Sequence, residues 1–355
     1  MGSQFNKIRI MKGLKNLFYV FLLVLGGCFH TIRNDIPPSQ IAQKSPERDS
    51  QARHYFQEAQ RYLKRGKTER AFKQFKIIGS QYLETTIAPE AFFCWGQELR
   101  KLGKIEQAFE KFKFVTKNYV NYRNYGQVVE EEFDLACRIM QRYNRQSRLR
   151  FLSFFKDATE AVDCFQHIVT MAPHSEKAAR ALFLIAQLER DSGNKAKAIA
   201  ALDQLIENYP AHSCVPDAYL LQGEIYFSFV NGPHNDQGMT RNAIHCYEDF
   251  LQIYSQDECL QDKIALARQK LQEMRAFYGE SRLVLGDYFL YRRHYPEGAL
   301  VFYNEAQLLA PFTKISEKAQ KRIDFIHSGQ ETPSNWADFC FGQVVHRTPS
   351  AQVKR

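Results

Sequence analysis

A thiol is the first candidate for chemistry in this sequence. Cys28 closes the run Leu17–Gly27 of apolar and small residues, which follows Lys12 and Lys15. Gly26 and Gly27 leave the backbone before it uncovered, so a peptidase can bring its active site close. Elsewhere the chemistry is sparse. The other seven cysteines, at 94, 137, 164, 214, 246, 259 and 340, contain no C-x-x-C pair. Cys94, Cys137, Cys164 and Cys246 fall inside expected helices, where a small apolar residue fits. An oxidising compartment permits disulfides, but an odd count leaves one thiol over. The ten histidines are scattered, and no H-E-x-x-H, phosphate-binding glycine loop or G-x-S-x-G is present. No catalytic residue, metal site or cofactor is assigned, and a non-enzyme is expected.

The apolar run before Cys28 is too short to span a bilayer, which takes about 20 residues. Its length and basic flank suit a secretory signal over residues 1–27. Met11 is an alternative start, because MKGLKN is a complete basic region. Leu25-Gly26-Gly27-Cys28 resembles a bacterial lipobox. The resemblance implies that Cys28 is lipidated, with two acyl chains such as palmitate on sulfur and a third on the new N-terminus. Each buried CH₂ contributes about 0.8 kcal/mol, so three chains hold where one does not. Phe29 stands where such proteins carry Asp for inner-membrane retention, which favours the periplasmic face of the outer membrane. The alternative is an uncleaved anchor or an ordinary signal with a chance cysteine. Residues 28–48, with Pro37, Pro38 and Pro46, read as an extended tether.

What positions any further site is the remaining chain. The full length of 355 residues allows about two domains. An apolar share of 45% with 28 Phe and 18 Tyr excludes a wholly disordered chain. The formal charge of +9 includes four basic residues before Cys28, so nucleic-acid binding finds little support. Residues 49–120 hold 14 basic and 8 acidic side chains. That basic end, nearest the expected anchor, suits acidic headgroups or an acidic partner.

Six alanines recur in matching surroundings: Ala71, Ala108, Ala161, Ala198, Ala243 and Ala299. Four residues on lie Phe75, Phe112, Phe165, Leu202, Tyr247 and Tyr303. Seven residues on lie Ile78, Val115, Ile168, Leu205, Phe250 and Ala306. Offsets of 0, 4 and 7 define one helix face. Gly66, Gly103 and Gly193 precede their alanines by five residues, and Pro173, Pro210 and Pro311 follow theirs by twelve. Each unit is therefore a helix, a glycine turn and a second helix. The unit resembles the tetratricopeptide repeat (TPR). The expected fold is all-α: a right-handed superhelical solenoid of about six TPR hairpins. Repeats 1–2 occupy 49–122 and repeats 3–5 occupy 123–256. Residues 257–327 hold a separate connecting helix, repeat six and a C-terminal helix, and 328–355 read as a disordered tail. Insertions are expected at 144–156 and 231–238. In repeat six Gly286 falls one place out of register.

Places 5, 9 and 12 of the first helices share one face. They carry Phe56, Gln60 and Leu63; Phe93, Gln97 and Arg100; Phe183, Gln187 and Arg190; and Leu220, Glu224 and Phe227. An amide can pair with a peptide backbone, Phe can hold an apolar side chain, and Arg can take a carboxylate. One reading is a groove for an extended peptide or unfolded segment. The other is that the Phe rings are covered and the Gln merely solvated. The basic run Arg138, Arg142, Arg145, Arg148 and Arg150, followed by Phe151, Leu152, Phe154 and Phe155, is either a docking element or a solvated face beside core aromatics.

The lipobox-like start, the tether and the stretch Asp217–Pro311 together resemble the outer-membrane assembly lipoprotein family of BamD/ComL type. DAYLLQGEIYFSF, the following Gly/Asn/Asp insertion and GDYFLYRRHYPEGAL carry that likeness. Tyr288, Tyr291, Arg292 and Tyr295 stand in place of the family's tyrosine-rich helix. The resemblance implies a non-catalytic scaffold that binds the β-barrel insertase through residues of 280–313 and unfolded outer-membrane proteins through the Phe/Gln/Arg positions. No nucleic acid or small-molecule substrate is implied. Alternatives are a pilotin-like or other envelope TPR adaptor, and an accessory or activator of a cell-wall hydrolase.

Overall fold

The computed structural model describes residues 45–147, 158–230 and 237–330. The expected signal, Cys28, the tether, most of the 144–156 insertion, residues 231–236, and Cys340 with the tail beyond 330 lie outside the described residues. Among the described residues there are thirteen α-helices, one 3₁₀ turn and no strand. The chain forms two compact units, divided between Ile139 and Met140.

The first unit holds α1 (Pro46–Lys64), α2 (Thr68–Gln81), α3 (Ala88–Lys101), α4 (Ile105–Asn118) and most of α5 (Tyr125–Ser147). The second holds α6 (Thr159–Met171), α7 (Glu176–Asp191), α8 (Lys195–Asn208), α9 (Val215–Phe227), α10 (Gly238–Tyr254), α11 (Gln261–Tyr291), α12 (Pro296–Leu309) and α13 (Lys314–His327). Pairs α1/α2, α3/α4, α7/α8, α9/α10 and α11/α12 pack as hairpins.

The 0, 4, 7 pattern is the core. All six alanines, their partners four residues on and those seven residues on are at most 1% exposed. Gly66, Gly103 and Gly193 have φ of 69°, 72° and 83°, a conformation that costs a side-chain-bearing residue. At the second of these turns Gly103 N–H donates to Arg100 O and Lys104 N–H to Leu99 O, the double bond of a Schellman stop. Helices α6, α8 and α12 end two residues before Pro173, Pro210 and Pro311.

Inside each hairpin a small residue lets the aromatic of the second helix approach. A Cβ added at Gly96 would stand 2.5 Å from the Phe112 ring, and one at Gly223 2.7 Å from Tyr247. Gly286 meets Tyr303 in the same way, at 2.5 Å. The one-place slip expected for Gly286 is therefore absent. The extra residue sits in the turn, which runs from Arg292 to Tyr295 and uses His294 at φ 51° where the others use glycine.

The separate connecting helix expected before repeat six is also corrected. Residues 261–291 form one helix, because nothing between them breaks it. Its buried stripe runs Ile264, Ala267, Leu271, Met274, Tyr278 and then Gly279, Leu283, Gly286, Leu290. The stripe steps by one residue at Tyr278–Gly279, turning the apolar face by about 100°. The first half packs with α10 around Tyr247 and Phe250. The second packs around Tyr303 and Ala319 of α12 and α13.

Candidate functional site

In the first unit the first-helix face is polar at its rim and apolar beneath. Phe56 is 8% exposed, with its ring 6.3 Å from Phe75. Phe93 is 5% exposed and lies between Phe112, at 5.7 Å, and Tyr122, at 6.3 Å. Both rings are spent on the hairpin core. Gln60 is exposed and Gln97 half-buried. Arg100 does not stand open: it pairs with Glu131 of α5 and lies 3.8 Å from Asp134.

In the second unit Phe183, Gln187 and Arg190 are half-buried on α7, and Arg190 Nε donates to Asp191 Oδ1 at 2.9 Å. On α9 Glu224 is exposed and Leu220 buried, while Phe227 meets Phe277 of α11 edge-on at 6.2 Å. Arg138, Arg142 and Arg145 lie on α5, and the rest of that basic and aromatic run lies outside the described residues.

Tyrosines tie successive hairpins together. Tyr119 Oη donates to Leu83 O at 2.7 Å, and Tyr209 Oη donates to Pro173 O. Burial raises both phenols above their ordinary range, with the Glu84 charge adding at Tyr119. These hydroxyls serve as fixed donors.

The tyrosine-rich segment splits. Tyr288 and Tyr295 are 48% and 52% exposed and flank Phe289, with ring separations of 5.8 and 6.4 Å. Arg292 is exposed. Tyr291 is 5% exposed and belongs to the core under α12. It is corrected from a partner-facing residue to a packing one, because it lies at the edge of the stripe Leu283, Gly286 and Leu290 that α12 covers.

Two features escaped the sequence reading. Phe72, Trp95 and Leu99 floor a cleft of about 410 Å³ between α2, α3 and α4, rimmed by Glu69, Lys104, Glu106, Gln107, Glu110 and Lys111. Lys111 Nζ sits 4.2 Å from the Trp95 ring centre, and burial lowers its pKa. Phe72 directly follows Ala71, so the only signal was an aromatic beside the repeat alanine. Second, Asp287 on α11 accepts from Tyr303 Oη at 2.8 Å and from Arg322 Nη2 at 2.9 Å, joining α11, α12 and α13.

Among the described residues no group of His, Cys, Asp or Glu is placed to hold a metal. No helix there is long and apolar enough to cross a membrane. Cys94, Cys214, Cys246 and Cys259 are free thiols. Burial, reinforced by neighbouring carboxylates, pushes Cys94 and Cys246 up to about 12.

Residues 180–212, spanning most of α7 with α8 and its turn, match the sequence model of the tetratricopeptide repeat family. The match falls on the α7/α8 hairpin. Repeats of this kind stack into extended protein-interaction surfaces. The chain is similar to the outer membrane protein assembly factor BamD of Caulobacter vibrioides, 26% identical over 131 residues. That match covers 37% of this chain and spans 42% of the relative's length. Similar solved structures include MamA from Desulfovibrio magneticus, 20% identical with a TM-score of 0.29, covering 58% of this chain and 97% of that one. A thermophilic TPR protein of Thermus thermophilus is 17% identical with a TM-score of 0.30, covering 61% and 99%.

Proposed function

We propose that this chain is a lipid-anchored scaffold at the periplasmic face of the outer membrane, serving the assembly of β-barrel outer-membrane proteins. The similarity to BamD carries the proposal. The lipobox-like Leu25–Cys28 supports it, because acyl chains at the N-terminus would hold the repeats beside the bilayer where such proteins insert. The role is non-catalytic: tethered hairpins present one surface to the insertase and another to an unfolded segment. Tyr288, Arg292 and Tyr295 would face the insertase. Gln60 and Gln97 in the first unit, and Gln187 in the second, would each pair with substrate backbone.

The test is affinity capture from detergent-solubilised envelopes. Recovery of a large β-barrel protein with periplasmic repeats supports the assembly role; recovery of a secretin, or of no barrel protein, removes it. Mass spectrometry of the N-terminal peptide tests the anchor separately. An unacylated thiol at Cys28 refutes lipidation whatever the capture shows.

A further inference from the structure

The first unit departs from helix-capping preference twice, in the same sense. Gly66 and Gly103 close the turns of α1/α2 and α3/α4, and the residue that then caps the second helix is Lys67 in one and Lys104 in the other. That place favours Asn, Asp, Ser or Thr, whose oxygen accepts a helix N–H, and it lies at the positive end of the helix dipole. An ammonium only donates, and the dipole repels it. Neither lysine makes a side-chain capping bond. The third glycine turn, in the second unit, carries Asn194 at the same place. Local helix physics therefore does not account for the two lysines.

Their surroundings share the sign. Residues 61–76 hold seven basic side chains, all exposed, against a single acid, Glu69. Arg61, Lys64, Arg65, Lys67 and Arg70 crowd the α1/α2 turn, and among the described residues none of them lies within 4 Å of a carboxylate; the ion pairs of this unit use other cations, such as Arg53 and Arg100. Glu69 and Phe72 of α2 share a cleft with Leu99 and Lys104, so the two turns stand side by side. Leu102, in the second turn, is 50% exposed. The result is a protruding basic edge with an apolar side chain at its tip. Such an edge suits a plane of anionic headgroups, which attracts each cation and takes up the apolar residue.

We propose that the paired turns at 61–70 and 101–104 form a docking edge for an anionic phospholipid surface. The edge gives the first unit a second hold on the bilayer beside the N-terminal anchor, and so fixes which way its hairpins face. The choice of a bilayer rests on the anchored-scaffold reading. Vesicles contain no insertase, so failure of the edge and failure of that reading are separate results.

The full chain is offered a mixture of two vesicle populations, one of phosphatidylcholine alone and one of phosphatidylcholine with phosphatidylglycerol. Its distribution between them is read after flotation. Lys67→Asn with Lys104→Asn should lower the preference for anionic vesicles about 25-fold, or about fivefold per lost charge, and the difference should fade in high salt. Everything outside the two positions is common to both chains and cancels from the comparison. The same variant should have a higher urea midpoint, because asparagine caps a helix where lysine does not. Lys318→Gln with Lys321→Gln, exposed on α13, removes the same charge from the second unit and should leave the preference within about twofold. An unchanged preference in the first variant overturns the proposal, as does an equal loss in the second. A lower urea midpoint accompanying the loss assigns the lysines to the fold and overturns it too. A greater loss for soluble polyglutamate than for vesicles also overturns it, and assigns the edge to an acidic protein.

Discussion

Asp287→Ala tests how the last helix is held. The carboxylate takes two bonds from Arg322, one at 2.9 Å through Nη2 and one at 2.5 Å through Nε, and a third from Tyr303 Oη. Burial works against the Arg322 charge, and the Asp287 bonds more than reverse it, holding the guanidinium above its ordinary value. Removing one partner of a buried pair costs about 3–5 kcal/mol. The Asp287 side chain is 23% exposed against 9% for Arg322, so water softens the loss to about 3 kcal/mol. Because α13 ends the described helices, the loss should appear first as local opening of that helix. Amide hydrogen exchange in 314–327 should then speed up by rather more than 100-fold. Tyr303→Phe should cost only about 1 kcal/mol. Asp287→Leu combined with Arg322→Met should restore most of the protection, since a well-packed apolar pair can replace a buried ion pair. Exchange in α13 within threefold of wild type for Asp287→Ala would refute the reasoning.

Gly96→Leu or Ala198→Leu should overpack its hairpin and cost about 1–3 kcal/mol, read as a lower denaturant midpoint; an unchanged midpoint argues against the hairpin contact. His294→Gly should stabilise the α11–α12 turn by about 0.5–1 kcal/mol, because glycine takes a φ of 51° without strain. Cys94 and Cys246 should resist alkylation at pH 8, with a thiolate fraction of about 10⁻⁴, while Cys259 reacts readily. The native state keeps those two protons to about 12, whereas the unfolded chain loses them near pH 9, so stability should fall as pH rises through that window. Urea midpoints that hold constant from pH 9 to 11 in a comparison with Cys94→Ala, Cys246→Ala would contradict this.

Much of the fold was legible because it is periodic. The 0, 4, 7 alanine pattern and the glycine five residues earlier are local signals, and each reports one hairpin without reference to the rest. What failed was information held between elements. Phe56 and Phe93 look like groove residues by spacing, yet Phe75, Phe112 and Tyr122 cover them, and those contacts cross helices. Tyr288 and Tyr291 look alike in sequence, and only the placement of α12 makes one surface and the other core. The Asp287–Arg322 pair joins residues 35 apart with no motif to announce it. The length of α11 was misjudged because its apolar stripe changes face partway, which reads as a boundary.

That single helix has a mechanical consequence. At 31 residues it is about 46 Å long, and it is a member of two separate apolar clusters, one around Phe250 and one around Tyr303. A loop between those clusters would let them swivel independently. A continuous hydrogen-bonded rod forbids that, so it acts as a splint. A push on α10 must be transmitted as tilt or rotation to α12 and α13, and a load applied at the far C-terminal face must be felt around Tyr247.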